Sequence, residues 1–215
     1  MLTQPTKEEI DHRTLKLLVG LIALTLGPLT SFFAPADSKI TSISASYYVD
    51  GWSQSILIGF LFAIATFLLA YNGLSRTEML LSKVAAAAAL GVALFPCGCD
   101  GRTERVPHVH FASAAVMFLI LVYFCYVFYK RAREKGHTEA NRRAFVYALC
   151  GLVIIASIAA MVFDTLAGDR LSHANPRFIF YCEHAGLAAF GVSWLTASRI
   201  LPFLTSSGER FEPWG

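Results

Sequence analysis

The side chains best suited to bind a ligand or to catalyse a reaction cluster in three short polar segments. Each segment lies beside a long apolar stretch, and together they contain hydroxyl, carboxylate and imidazole groups. An ionisable group at the edge of an apolar stretch indicates a functional site, because its charge is costly to bury without a partner. The predicted ligand-binding residues are Ser44, Tyr47, Tyr48, Asp50, Asp100, His110, Ser113, Asp164, Glu183 and His184.

His110, Asp164 and His184 combine two imidazoles and a carboxylate, which are ligand types that zinc accepts. With water in the open fourth position, zinc would supply hydroxide near neutral pH, and the chain would be a metal-dependent hydrolase acting on a lipid. The sequence contains neither HExxH nor HxxxH. The alternative is a hydrogen-bonded network that ties helices together, with aromatic residues such as Trp52 as interfacial anchors.

Haem is a second cofactor hypothesis. His110 and His184 lie in different apolar segments, and bis-imidazole ligation takes one histidine from each of two facing helices. The sequence has no CxxCH attachment motif. A single non-covalent haem is therefore the form that this hypothesis predicts.

The five cysteines leave the disulfide state open. Cys97 and Cys99 are separated by one glycine, so we expect a bond between the two to be strained, whereas either of them could pair with Cys182 in an oxidising compartment. Free thiols are the alternative. Cys125 and Cys150 lie within apolar segments and are interpreted as packing residues.

Apolar stretches separate these polar segments and must position them. The chain of 215 residues is 55% hydrophobic and 15% charged, with a mean hydropathy of +0.54, whereas globular domains are roughly 25% charged. About 20 apolar residues span a membrane as a helix. The sequence predicts an all-α integral membrane protein, a single transmembrane domain with helices at about 15–36, 52–73, 79–96, 108–130, 143–164 and 178–201.

Two further patterns refine this prediction. Residues 34–36, Ala-Pro-Ala, resemble a signal-peptide cleavage site, but the uncharged stretch before them exceeds the usual ~7–15 residues of a signal peptide's apolar region. We therefore expect a retained first helix. Small residues at 85–89, Gly186 and Gly191 allow close backbone approach, which predicts that the third and sixth helices lie centrally in the bundle.

The basic residues indicate the orientation. If the N-terminus is cytoplasmic, 13 of the 18 Lys and Arg residues lie in cytoplasmic segments and 5 lie outside. Cytoplasmic loops carry such an excess, so the pattern predicts both termini in the cytoplasm. The run KRAREKGHTEANRR contributes most of the difference. The net charge of +3 is too small to indicate a nucleic-acid partner.

Four sequence stretches carry a resemblance to a known family: SISASYY, GVALFPC, HFASAAVMFLILVYF and AFGVSWL. They resemble an uncharacterised family of small bacterial inner-membrane proteins that carry a domain of unknown function. The resemblance covers about residues 42–195. It implies a six-helix protein of the bacterial inner membrane, and it implies no activity or catalytic residue.

A fainter likeness is to the ceramidase and progestin-receptor superfamily of seven-helix membrane hydrolases. That superfamily uses histidines, an aspartate and a serine around zinc, and the present chain lacks the paired histidines in its last helix.

The sequence thus predicts a six-helix bundle whose outer polar residues form an outward-facing pocket. We expect membrane lipids around the chain and a lipid or small molecule in the pocket. The metal-dependent hydrolase and the single-haem protein are the alternatives.

Overall fold

The computed structural model of the chain describes residues 12–38, 40–103, 106, 108–206 and 209, except for the side chain of Asp100. The structure is 80% helical, and the described residues contain no β-strand. Its helices are α1 (His12–Phe32), α2 (Trp52–Ala70), α3 (Arg76–Leu94), α4 (Val109–Lys135), α5 (Thr138–Leu166), the short α6 (Arg170–Ala174) and α7 (Phe178–Ser198).

Six helices, all except α6, are long and apolar enough to cross a membrane. The shortest have 19 residues, which at about 1.5 Å per residue nearly match a hydrocarbon layer of about 30 Å. Apolar side chains such as Leu69, Leu119 and Leu152 are more than half exposed on the outside of the bundle. This surface suits lipid, and the prediction of a six-helix transmembrane bundle is confirmed.

The long helices form a ring in chain order. Each packs against the next, and α7 returns to pack along α1. This last contact is close, because a Cβ atom on Gly191 would lie 2.8 Å from the carbonyl oxygen of Gly20. α4 and α7 also touch across the ring, whereas α3 packs mainly on α2 and α4. The predicted central position therefore suits α7, but it is wrong for α3.

Aromatic rings fill the centre of the ring of helices. Trp194 is fully buried, and its ring centroid lies 5.2 Å from those of Tyr71 and Phe190. Phe124 and Phe128 lie 5.7 Å and 6.1 Å from it. Burying such rings contributes both apolar area and favourable edge contacts. The interior is consequently packed with side chains along this level of the bundle.

The basic segment between the fourth and fifth predicted helices is mostly helical. α4 continues to Lys135 and α5 begins at Thr138, so only Gly136 and His137 connect them. Lys, Arg and Glu favour helix when water surrounds their charges, so both helices extend beyond the apolar stretches that predicted them. Gly136 ends α4 with a φ of +72°, and the His137 side chain accepts the Ala140 N–H at the start of α5.

Candidate functional site

The long helices end at two poles of the bundle, and the two poles hold different polar groups. The loop-one pole carries loop one (residues 33–51) and the helix ends at Phe32, Trp52, Leu94, Val109, Leu166 and Phe178. The basic pole carries the helix ends at His12, Ala70, Arg76, Lys135, Thr138 and Ser198. All ten predicted ligand-binding residues belong to the loop-one pole.

The Glu183 carboxylate holds loop one against α7. It accepts the Ile43 N–H at 2.5 Å, the Ser44 N–H at 3.3 Å and the Ser44 hydroxyl at 2.9 Å. Ile43 and Ser44 lie where a short 3₁₀ turn begins, so their N–H groups have no partner inside that turn. The carboxylate therefore acts as a cap supplied by a helix about 140 residues away in the sequence.

Loop one covers this end of the bundle. Ile43 and Ala45 are buried, Ser46 is fully buried, and the Phe180 N–H donates to the Thr41 carbonyl at 3.0 Å. The Ser46 hydroxyl nevertheless has no hydrogen-bond partner among the residues that the structure describes. The loop thus forms a lid that places an unsatisfied polar group in the interior.

His184 lies beside Gly27 of α1. A Cβ atom on Gly27 would come within 2.6 Å of the His184 Nδ1 atom and 3.1 Å of Ile43, so the side chain fits because position 27 is glycine. Its ring stacks on Phe180 with centroids 6.3 Å apart. The Nδ1 atom is buried and has no hydrogen-bond partner within the described ranges. Glu183 and His184 are neighbours in sequence but have different surroundings.

The two tyrosines attach loop one to its surroundings. The Tyr48 hydroxyl donates to the Cys97 carbonyl at 2.5 Å, and the Arg102 guanidinium lies 4.4 Å from the centroid of the same ring. The Tyr47 carbonyl accepts from the Gln54 amide at 2.5 Å. Of the other candidates in these loops, Asp50 is exposed, and the side chain of Asp100 lies outside the described part of the chain.

Cys97 and Cys99 form a disulfide with each other, and Cys182 is a free, partly exposed thiol. The predicted alternatives, pairing with Cys182 or free thiols at 97 and 99, are therefore wrong for this structure. Pairing within the loop leaves α7 without a covalent link to α3.

His110 and Ser113 lie where α4 meets the end of α3. The buried His110 ring donates its Nδ1–H to the Phe95 carbonyl at 2.8 Å, since a carbonyl oxygen only accepts. The Ser113 hydroxyl lies so close to Gly91 that a Cβ atom there would collide with it. These contacts give both side chains a role in joining the two helices.

Asp164 organises the segment that follows α5. Its buried carboxylate accepts the Leu171 N–H at 2.7 Å, the Ser172 N–H at 3.2 Å and the Ser172 hydroxyl. Those donors belong to the first turn of α6, so Asp164 caps that helix from the preceding one.

The predicted metal ligands His110, Asp164 and His184 do not assemble. Among the residues that the structure describes, no three His, Cys, Asp or Glu side chains come together as a metal site requires. His110 and Asp164 are each bonded to local groups, as given above. The three-residue zinc set is therefore not supported. Haem ligation by the two histidines stays a prediction.

The basic pole contains buried charges that the sequence analysis used only to predict orientation. Glu78 is 1% exposed and forms a two-pronged ion pair with Arg131 of α4. It also accepts the Leu74 N–H and the Ser75 hydroxyl, while the Ser75 oxygen accepts the Glu78 N–H. The spacing of Ser75 and Glu78 is that of a capping box, a signal visible in the sequence.

The final described residues attach to the same pole. Glu209 pairs with Lys135, with the fully buried Arg143 at 3.1 Å and with Arg199 at 3.2 Å. The hydrogen bond from Lys135 is the main cause that lowers the pKa of Glu209 below its ordinary value. One carboxylate is thus shared by three cations.

A groove of about 500 Å³ also lies at the basic pole, not at the loop-one pole where the sequence predicts a pocket. Its lining residues are Thr138, Asn141, Arg142, Phe145, Val146 and Leu204. Phe145 is 69% exposed, so the groove opens on the outer surface of the bundle.

Comparison with known proteins gives no match: no family model, no curated protein and no solved structure matches this chain.

Proposed function

We propose that this multi-pass membrane protein resides in a bacterial inner membrane and binds a lipid or small molecule beneath loop one. In this proposal both termini are cytoplasmic, and loop one is a lid on the outer side. Glu183 is the latch of the lid, because its carboxylate accepts three hydrogen bonds from Ile43 and Ser44.

One observation carries the proposal: polar atoms at this latched end of the bundle are buried without hydrogen-bond partners among the described residues. They include the His184 Nδ1 atom, in the interface between α7 and α1, the Ser46 hydroxyl of the lid, and the Nε atom of Arg177, which precedes α7. A buried polar atom without a hydrogen bond costs about 1–3 kcal/mol. A ligand that hydrogen-bonds these atoms would recover that cost, so a polar or amphipathic molecule suits the site.

Lid opening follows from the same contacts. The latch joins loop one to α7, while the Tyr48 hydroxyl and the Gln54 amide fix the other end of the loop near Cys97 and α2. Release of Glu183, together with the hydrogen bond from the Phe180 N–H to the Thr41 carbonyl, would free the first half of the loop and leave the second half attached. Residues around Ile43 are therefore the part of the lid that we expect to move.

Native mass spectrometry tests this proposal on the full chain extracted with its surrounding lipid. We expect a bound molecule on the wild-type chain that is lost in His184→Ala and in Glu183→Gln. Asp37→Asn is the matched control, because Asp37 is an exposed acid in the same loop. A wild-type chain without a bound molecule, or a molecule retained equally in all variants, would contradict the proposal.

The orientation is tested by reporter fusions at the C-terminus. A fluorescent protein fused there should fluoresce, because it folds in the cytoplasm, whereas alkaline phosphatase at the same position should be inactive. The reverse result would place the basic pole outside and would reject the topology. It would leave the binding of a molecule beneath loop one to be judged by the mass measurement.

A further inference from the structure

The basic pole contains a group of polar side chains whose N–H and O–H groups have no hydrogen-bond acceptor among the described residues. Lys16 of α1 is placed with its ammonium 5.4 Å from the ring centroid of Tyr71 and 5.2 Å from that of Phe128. His12, one turn earlier on α1, lies 5.4 Å from Tyr71 between ring centroids. Trp194 of α7 lies 5.2 Å from Tyr71. Tyr71, the residue that follows α2, is thus surrounded by side chains of α1, α4 and α7.

Three of these residues have buried polar atoms with no hydrogen-bond partner in the part of the chain that the structure describes. They are the Tyr71 hydroxyl, the Trp194 Nε1 atom and the His12 Nδ1 atom. Tyr71 is 1% exposed and Trp194 is fully buried, so water outside the bundle does not reach their polar atoms. An indole N–H can only donate, and burial raises the pKa of Tyr71, which keeps its hydroxyl protonated at neutral pH.

Lys16 differs from the other lysine near this point. The Lys83 ammonium donates to the carbonyl oxygens of Leu69 and Tyr71 and to the Asn72 amide oxygen at 3.1 Å. Lys16 contacts ring faces, and within the described part of the chain it has neither a hydrogen-bond acceptor nor an ion pair. Ring faces attract the charge but leave its N–H groups unsatisfied.

The surrounding charges favour an anion at this place. Arg13, Arg131 and Arg199 lie close enough to Lys16 to act on its charge, and Glu78 is the carboxylate that opposes them most. Glu78 is already engaged in its ion pair with Arg131. An additional anion would therefore be attracted by several cations and repelled by few groups.

We propose that Lys16, His12, Tyr71 and Trp194 bind a phosphate group, carried either by a lipid headgroup or by a soluble phosphate. The lysine supplies positive charge, the Tyr71 hydroxyl supplies an O–H donor, and the Trp194 indole supplies an N–H donor. A phosphate has more acceptor oxygens than a carboxylate, which suits a group of donors contributed by α1, α7 and the residue after α2.

The position of the group also suits a headgroup. His12 begins α1, Tyr71 follows the last residue of α2, and Trp194 is about one turn from the end of α7. Helix ends of a membrane bundle lie at the level of the lipid phosphates. His12 and Lys16 are partly exposed, whereas Tyr71 and Trp194 are buried, so the site is entered along the first turn of α1.

The test titrates the full chain in uncharged detergent and follows its thermal unfolding. One arm adds inorganic phosphate, a second adds dihexanoyl phosphatidylglycerol, and sodium chloride at equal ionic strength serves as the reference. Stabilisation by phosphate identifies a soluble ligand, and stabilisation by the lipid alone identifies a headgroup. If neither probe stabilises the chain more than chloride does, the proposal is overturned. The same result is expected if a carboxylate of the chain fills the site.

Tyr71→Phe separates a binding role from a packing role, because it removes only the hydroxyl. Without ligand, this variant should be at least as stable as the wild type, since an unsatisfied buried group is removed. The same variant should bind the stabilising probe about tenfold more weakly, the loss expected for a hydrogen bond to a charged group. Unchanged affinity would overturn the proposal.

Matched variants control for general effects. Tyr126→Phe makes the same change at a tyrosine that is 58% exposed on α4 and should leave the affinity unchanged. Lys16→Gln should abolish the stabilisation, whereas Lys130→Gln removes an exposed charge from the same pole and should not. Equal losses in Lys16→Gln and Lys130→Gln would show that net charge alone attracts the probe, which contradicts a built site.

Discussion

The two poles of the bundle use their carboxylates in different ways. At the loop-one pole, Glu183 and Asp164 accept backbone N–H groups and serine hydroxyls, and they thereby fix the shape of the connecting segments. At the basic pole, Glu78 and Glu209 bind arginine and lysine, and they join helices to each other and to the residues after α7. Acids order connecting segments at both poles, since Glu78 also accepts the Leu74 N–H and the Ser75 hydroxyl, but only at the basic pole do these carboxylates also balance arginine and lysine.

This difference separates what each pole can bind. At the loop-one pole the acids are satisfied by backbone and serine groups, and the buried atoms without partners among the described residues include a hydroxyl, an imidazole nitrogen and the Arg177 Nε atom, which suit a polar ligand. At the basic pole, Glu78 and Glu209 are already paired with cations. Lys16 and the donors near it are therefore available for a ligand, and they suit an anion. The four predictions below test the contrast between the poles.

Loss of the Glu78 carboxylate should have the largest effect. Glu78→Ala leaves Arg131 without its partner and removes a cap from α3, and breaking a buried ion pair in this way costs about 3 kcal/mol. The measurement is the free energy of unfolding in mixed micelles. Glu134→Ala is the control, because Glu134 is an exposed acid at the same pole and its loss should change little. If both substitutions lower the free energy of unfolding equally, the ion pair of Glu78 has no special role and the prediction is wrong.

Loss of the Glu183 carboxylate should be smaller and more local. Glu183→Ala removes three accepted hydrogen bonds from loop one and should cost about 2 kcal/mol, because part of the loop becomes solvated instead. Hydrogen exchange should accelerate at the Ile43 and Ser44 amides and stay slow in α3. Exchange that accelerates throughout the chain would show that Glu183 supports the whole bundle and would contradict its role as a latch.

Gly27→Ala should destabilise the loop-one pole by about 1–2 kcal/mol, because the added methyl group would collide with His184 and Ile43 in a packed interface. Gly59→Ala is the matched control. No atom lies within 4 Å of its added Cβ, so this substitution in α2 should stabilise the helix slightly. Thermal unfolding compares the two. A neutral Gly27→Ala would mean that His184 is free to move away.

The smallest effect is a pH dependence at the basic pole. Because the folded-state pKa of Glu209 lies below its ordinary value, its contacts stabilise the fold at neutral pH, and this contribution is lost as the pH falls through the folded-state pKa. Glu209 is partly exposed, so the contribution is about 1 kcal/mol or less. Thermal midpoints measured down to about pH 3 should decrease less for Glu209→Gln than for the wild type. If the thermal midpoints of the wild type and the variant decrease equally with falling pH, this prediction is wrong.

Several features of the site were visible in the sequence. Glu183 and Asp164 stand out because an acid at the edge of an apolar helix needs a partner, and both have one in the structure. Their partners were not predictable. Glu183 bonds to residues about 140 positions away, and the zinc set assumed that His110, Asp164 and His184 converge. Nearby helices do not guarantee nearby side chains, because each helix can present a residue on any side.

The basic pole shows the opposite limitation. The sequence contains the capping box at Ser75 and Glu78, but nothing in it indicates that Arg131 of α4 completes the site. Tyr71 and Trp194 belong to apolar stretches, where aromatic residues are interpreted as packing. Only their burial without partners distinguishes them from ordinary core residues.

The sequence by itself determined the number of membrane helices and their approximate ends. Lipid offers no hydrogen bonds, so a chain that crosses it must do so as long apolar helices, and such stretches can be recognised in the sequence. The tertiary structure alone decided how the ring closes between α1 and α7 and which polar atoms are satisfied. Those outcomes depend on contacts between residues far apart in the chain, whose direction and distance are fixed only when the helices pack.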